Sequence, residues 1–256
     1  MVSARHTVLV EAVPRSWALA ALALLDDLAR DSRAEAGRVL LPDGTAVPDV
    51  RLVTGRHLRP GAVYVASASA SDAASDADAS ARVTIRQWDR RGGVRLGLDA
   101  GGSDGTLRME GVLRGLDRPR LVEVTGEAAG SGRWPSLRRV RGRARLRPED
   151  WWTAFDHERA PRAAPARVRL DHRLGRAEAR AEPVRRADDG RWEVRVTVSV
   201  RGRGPLRPLT AVALRLVAAR IRRSVVRGLD DAARQWNEQV PPLVAADPSA
   251  PRRKRA

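Results

Sequence analysis

The chain has 256 residues, 43% of them apolar and 31% charged, which supplies core material for one large domain or two small ones and excludes a disordered chain. It contains no cysteine, and this excludes disulfides, cysteine-based zinc sites and a thiol nucleophile together. The formal net charge of +17 points by itself to an acidic partner, but Lys254 is the one lysine among 48 basic residues, and the arginines alternate along the chain as they would on a solvated sheet face.

In chain order, Thr7 to Val10 reads as a short strand. Pro14 then opens a helix whose Trp17, Ala20, Ala21, Leu24, Leu25 and Leu28 recur at helical spacing. The uncharged run Ser16 to Leu25 is too short to span a bilayer, and Asp26 and Asp27 stand where a cleavage site would follow a signal peptide, so it is expected to be a buried helix. Leu209 to Val217 carries Arg215 and is no membrane span either. A cytoplasmic protein without a transmembrane segment is the expectation.

Leu41 to Pro48 is turn-rich, with strands expected at Val50 to Thr54 and Ala62 to Ala66. The small, acidic-polar stretch 66–81 reads as a disordered loop. Strands follow at Arg82 to Trp88, Gly93 to Leu98, Thr106 to Leu113, Arg120 to Gly126 and Leu137 to Leu146, spaced as in a meander. In the last of these, Val140, Gly142, Ala144 and Leu146 alternate with four arginines, the pattern of an antiparallel sheet with one buried face and one wet face.

Pro148 opens a helix over Glu149 to Glu158, and a Pro/Ala linker over 159–165 follows. Val168, Leu170, His172 and Leu174 alternate with charged residues. Trp192, Val194, Val196, Val198 and Val200 give the most regular strand in the chain. Gly202, Gly204, Pro205 and Pro208 break it, and a long amphipathic helix is expected from Leu209 to Glu238, with Leu214, Val217, Ile221, Val225, Leu229, Ala232 and Trp236 as its apolar stripe. Prolines 241 and 242 end that helix, leaving 1–244 as a single domain and 245–256 as a basic disordered tail.

The segment Asp189 to Asn237, with its break at Gly202, Gly204 and Pro208 and its finish at Leu229, Ala233, Trp236 and Asn237, resembles the closing strand and helix of bacterial members of the START-related superfamily. That superfamily includes polyketide cyclase/dehydrase-like and birch-pollen-allergen-like proteins. About 50 residues carry the resemblance. It implies an α+β helix-grip fold, a curved antiparallel sheet around the long C-terminal helix, and a cavity between them that holds an apolar small molecule or lipid. In such a cavity His172, Leu170, Trp192, Val194, Val196, Met109, Val217 and Ile221 would be the lining, and the helix carrying Trp151, Trp152 and Phe155 a lid or an insertion. Some relatives cyclise, dehydrate or hydrolyse their ligands, so a polyketide cyclase/dehydrase-like enzyme stays as an alternative.

No catalytic motif accompanies the resemblance. His172 is expected on the same face as Val168, Leu170 and Leu174, where an imidazole could serve as a general base or orient a ligand; a hydrogen-bonded core histidine is the simpler account. Asp156, His157 and Glu158 are helix neighbours that point apart and cannot converge on a metal. His6 and His57 show no partner pattern. Gly101, Gly102 and Gly105 lack the helix and lysine of a phosphate loop, and there is no Gly-x-Ser-x-Gly elbow. No metal, cofactor or reaction is assigned, and nothing speaks to oligomeric state. An Arg-rich nucleic-acid-binding protein is the remaining alternative, without a recognisable binding motif.

Overall fold

A computed structural model describes residues 2–67, 80–103, 105–131, 139–156, 163–187, 190–203 and 218–245. Among these it places thirteen strands and three helices, the strands pairing antiparallel, in an α+β arrangement that ends on the helix. The chain divides into two compact units. Unit 1 comprises 1–24, 147–169 and 174–256, and unit 2 comprises 25–146 and 170–173.

Unit 2 is a meander. Strands β2 (Arg33–Glu35), β3 (Arg38–Leu40), β4 (Ala46–Thr54), β5 (Val63–Ser67), β6 (Ser80–Asp89), β7 (Gly93–Gly102), β8 (Gly105–Arg114), β9 (Leu121–Gly130) and β10 (Arg139–Leu146) each pair with the next. The five meander strands expected from alternation are present. Ser67 pairs with Ser80, so the ends of the expected loop 66–81 belong to the sheet, and 68–79 lies outside the described residues. The β2–β3 hairpin was not expected. It turns on Ala36 and Gly37 at φ 48° and 77°, the mirror-image turn that suits a tight hairpin, with alanine where glycine or asparagine would have signalled it.

At the β6–β7 turn Gly93 has φ 101°, and a Cβ there would lie 2.0 Å from the Leu113 carbonyl oxygen. Gly93→Ala combines left-handed strain with a backbone clash, so a loss of more than about 1 kcal/mol in urea unfolding is expected.

Helix α1 (Arg15–Asp31) begins in unit 1 and ends in unit 2. Its expected apolar stripe is not its most buried face. Leu25 is 61% exposed, whereas Asp26 is 3% exposed. The burial of Asp26 follows from its partners: Trp88 Nε1–H donates to Oδ1 at 3.1 Å, and Arg30 Nε–H donates to the same oxygen at 3.1 Å. A tryptophan on β6 thus fixes the end of α1 through a carboxylate.

Unit 1 holds β1 (Val2–Val10), β12 (Gly175–Arg186) and β13 (Trp192–Gly202), with β13 paired to both others, and two helices, α2 (Pro148–Asp156) and α3 (Ala218–Ala245). Strand β11 (Ala166–His172) lies across the division. Val2, Ala4, His6, Val8 and Val10 of β1 stand opposite Val200, Val198, Val196, Val194 and Trp192. The expected start at Thr7 was late because His6 interrupts the apolar alternation.

Helix α3 is described from Ala218, so the expected positions 209–217 lie outside the described residues. It runs on through Pro241 and Pro242 to Ala245, beyond the expected stop at Glu238. Proline's fixed φ is itself helical, so the chain keeps its course while giving up two backbone hydrogen bonds. The basic tail 246–256 is outside the described residues.

Candidate functional site

Side chains of residues directly opposite on paired strands share a face, so the strand registers of unit 2 sort its residues. One face is apolar across seven strands. Leu52, Tyr64, Val83, Leu98, Met109, Gly126 and Gly142 form one row. Ile85, Leu96, Gly111, Val124 and Ala144 form the next, and Trp88, Val94, Leu113, Val122 and Leu146 a third. At the β4–β6 end this face packs into a core around Val39, Ala62, Tyr64 and Ile85. From β7 to β10 its residues are only half-buried, and Leu107 and Val124 are 37% and 36% exposed.

The middle of this face is contoured by glycine. A Cβ at Gly126 would meet Met109 Cγ at 2.9 Å, so Met109 fills that position, whereas a Cβ at Gly111 would meet nothing within 4 Å. The dip at Gly111 is flanked by Leu96, Val124 and Leu98, Met109 on the adjoining row. Half-buried apolar side chains around a dip make a surface that water covers poorly and that an apolar molecule would dehydrate favourably.

The opposite face of the same strands is charged in register. Arg108 meets Asp99 at 2.7 Å, Arg139 and Arg141 meet Glu127 at 2.9 Å each, and Arg143 and Arg145 meet Glu123 at 2.9 and 2.7 Å. Burial pushes the Glu123 pKa upward, but Arg143 and Arg145 outweigh it and hold the carboxyl below its usual range; hydrogen bonding from Arg141 does the same to Glu127. Such exposed pairs are screened by solvent and contribute little to stability. Their consequence is that much of the arginine excess in this unit is already matched by carboxylates across the strands.

At the Trp88 end of the apolar face lies an open cleft of about 760 Å³, lined by Arg30, Ser32, Arg33, Ala34, His57, Leu58, Arg59, Trp88, Asp89, Arg90 and Arg91. A closed network underlies it. Ser32 Oγ–H donates to the Ala29 carbonyl at 2.6 Å, leaving its oxygen to accept from His57 Nε2, 2.9 Å away. His57 Nδ1 then accepts from the Tyr64 hydroxyl at 2.9 Å, and the Tyr64 oxygen accepts the Leu58 N–H at 2.9 Å. Leu58 holds φ 54°, a left-handed strain that aims its N–H inward.

The serine proton is committed to a backbone carbonyl, so Ser32 and His57 do not form a nucleophile and base. They fasten the end of α1 to the 57–59 loop.

Burial lowers the His57 pKa, with the Ala29 carbonyl acting weakly against it. The neutral ring is therefore the folded form at pH 7, and the unfolded chain takes up a proton more readily. Stability from this group is complete above about pH 6.5 and declines as pH falls below that value. His57→Gln is expected to remove this component, so the stability difference between wild type and variant shrinks from pH 7.5 to pH 5 in denaturant titrations.

In unit 1 the aromatic side chains of α2 are used in packing. Phe155 stacks on Trp192 with centroids 4.9 Å apart and planes at 6°, Trp151 meets Trp192 edge-on at 6.1 Å, and Trp152 Nε1–H donates to the Val13 carbonyl at 3.1 Å. The Trp192 indole nitrogen is buried without a hydrogen-bond partner among the described residues.

Helix α3 docks on β1. The Asn237 side chain accepts from Glu11 N–H at 2.7 Å and donates to the Leu9 carbonyl at 3.0 Å, imitating a peptide group beside the outermost strand of this unit's pairing. Trp236 Nε1–H reaches the Glu11 carbonyl at 2.9 Å, and His6 Nε2 lies 2.7 Å from Asp230 Oδ1. A shallow cleft of about 480 Å³ lies between β1 and α3 here.

The residues expected to line a cavity are thus distributed. Met109 is on the apolar face of unit 2. Trp192 and Val194 are buried beneath α2 with Val196 packed against them, and Trp151, Trp152 and Phe155 lie over that cluster. Leu170 is 45% exposed and His172 half-buried. Val217 lies outside the described residues, as does the side chain of Ile221. The Ser32–His57–Tyr64 network was missed, since no sequence spacing links its members. Among the described residues no group of three or more His, Cys, Asp or Glu could hold a metal, and no helix is long and apolar enough to cross a membrane. No protein-family model, no curated protein and no solved structure matches the chain.

Proposed function

We propose that this chain binds an apolar small molecule or lipid, seated on the half-buried apolar face of β7 to β10, and that its fold is of the helix-grip kind suggested by the resemblance to the START-related superfamily. The observation that carries the binding reading is the register of that face: apolar or small residues at every position from Val94 to Leu146, open to solvent at Leu107 and Val124 and dipping at Gly111. Support for the fold comes from unit 1, where the first strand pairs with the last and the long closing helix packs on that first strand.

A nucleic-acid role is disfavoured because the exposed arginines of β8 and β10 are matched in register by Asp99, Glu123 and Glu127. A cyclase-like reaction is disfavoured because Ser32 and His57 are locked in a structural network.

A neutral probe is needed, since an anionic dye would respond to arginine. Nile red titrated into the full chain is expected to bind saturably and to be displaced by a sterol, a long-chain alcohol or a fused-ring aromatic. Absence of saturable binding, or of displacement by any of these, would overturn the reading.

A further inference from the structure

The cleft at Trp88 has a chemistry the apolar face lacks. Five arginines from three segments line it: Arg30 and Arg33 around the end of α1, Arg59 from the 57–59 loop, and Arg90 and Arg91 from the β6–β7 turn. Three already have acidic partners, Arg30 with Asp26 at 3.1 Å, Arg33 with Glu35 at 2.6 Å and Arg90 with Asp117 at 2.8 Å. Arg59 and Arg91 make no ion pair among the described residues, and both are exposed. The one carboxylate in the lining, Asp89, accepts the N–H groups of Arg91 and Gly92 and so is folded back into its own turn. Arg59 and Arg91 thus stand in an open cleft without a close ion pair among the described residues, Arg91 with Asp89 near enough to attract it, and guanidiniums so placed attract an oxyanion.

The cleft also adjoins the apolar face. Trp88 lines the cleft and belongs to the third apolar row, while Tyr64 belongs to the first row and binds His57 through its hydroxyl. The loop that presents Arg59 is held by that hydroxyl through the strained Leu58 N–H, which gives the cationic group a fixed mounting.

We propose that this cleft is an oxyanion subsite, taking a carboxylate or phosphate between Arg59 and Arg91, and that the physiological ligand is an amphipathic acid whose apolar part lies on the adjoining face. The second half of this statement rests on the proposed function; the oxyanion subsite does not.

The test uses the full chain and three C16 amphiphiles that differ only in their heads, hexadecanol, hexadecanoate and hexadecyl phosphate, each competing with Nile red, together with calorimetric titration of inorganic phosphate alone. The acid and the phosphate are expected to compete at least tenfold better than the alcohol. The double variant Arg59→Ala, Arg91→Ala is expected to erase that preference while leaving hexadecanol and Nile red unchanged, and the double Lys variant to restore part of it. Inorganic phosphate binding as tightly as hexadecyl phosphate, and only with both arginines present, would support the subsite and identify its occupant as a free anion. Arginine-dependent phosphate binding without competition by any amphiphile would retain the subsite and remove the apolar reading. Equal competition by all three heads in both proteins, with no phosphate binding, would overturn the proposal.

Discussion

Trp192→Ala is expected to cost about 3–5 kcal/mol, the range for deleting a large aromatic side chain from a packed core. Trp192 is 5% exposed, stacked on Phe155 and edged by Trp151, with Val194 beside it. Its removal leaves a void under α2 that those rigid rings cannot collapse to fill. Phe155→Ala should approach the same loss, and the two together should cost less than their sum, because each removes the same stack. Trp192→Phe is the informative control. It shrinks the ring but also removes a buried N–H that has no partner among the described residues, so it should cost well under half of the alanine variant. Urea unfolding followed by near-ultraviolet circular dichroism reads these differences, and an alanine variant within about 1 kcal/mol of wild type would mean that the aromatic cluster is not a packed core.

The second large effect concerns binding and should leave the fold intact. Val124→Glu and Leu107→Glu each place a carboxylate on the apolar face at a position solvent already reaches, so folding stability should change by about 1 kcal/mol or less. A ligand covering that face would have to bury the carboxylate without a partner, at a cost of several kcal/mol. Affinity for Nile red is therefore expected to fall at least about 100-fold in either variant. Val112→Glu, on the charged face between Arg95 and Glu123, is the matched control and should bind as wild type does.

The meander was legible in the sequence because its strands alternate cleanly, and β10 shows why: four arginines and four apolar or small residues can be sorted onto two faces in only one way. Strand β12 escaped notice for the converse reason. Its inward positions, Ala177, Ala179 and Ala181, carry too little apolar contrast against Glu178 and Arg180, and its place is set by pairing with the valines of β13. In α1 the helical spacing of leucines suggested the buried face, but the partner that decides burial is Trp88, 62 positions away, and it selects Asp26. The cleft was illegible on similar grounds. Ser32, His57 and Tyr64 are separated by 25 and 7 positions, and only the pairing of β4 with β5 and the turn at Leu58 bring them together. Trp236 and Asn237, conspicuous in the sequence as the helix finish, turned out to be the groups that attach α3 to β1.

If a ligand sits on the apolar face of β7 to β10, site-mapping by photolabelling reads its position directly. The full chain is irradiated with a neutral alkyl diazirine, and the adducts are located by mass spectrometry after digestion at Glu and aromatic residues. Adducts are expected within Gly93–Arg114 and Leu121–Gly130, suppressed by excess hexadecanol and eliminated by Val124→Glu. Adducts concentrated elsewhere, or labelling of these strands that no competitor reduces, would contradict a ligand seat on this face.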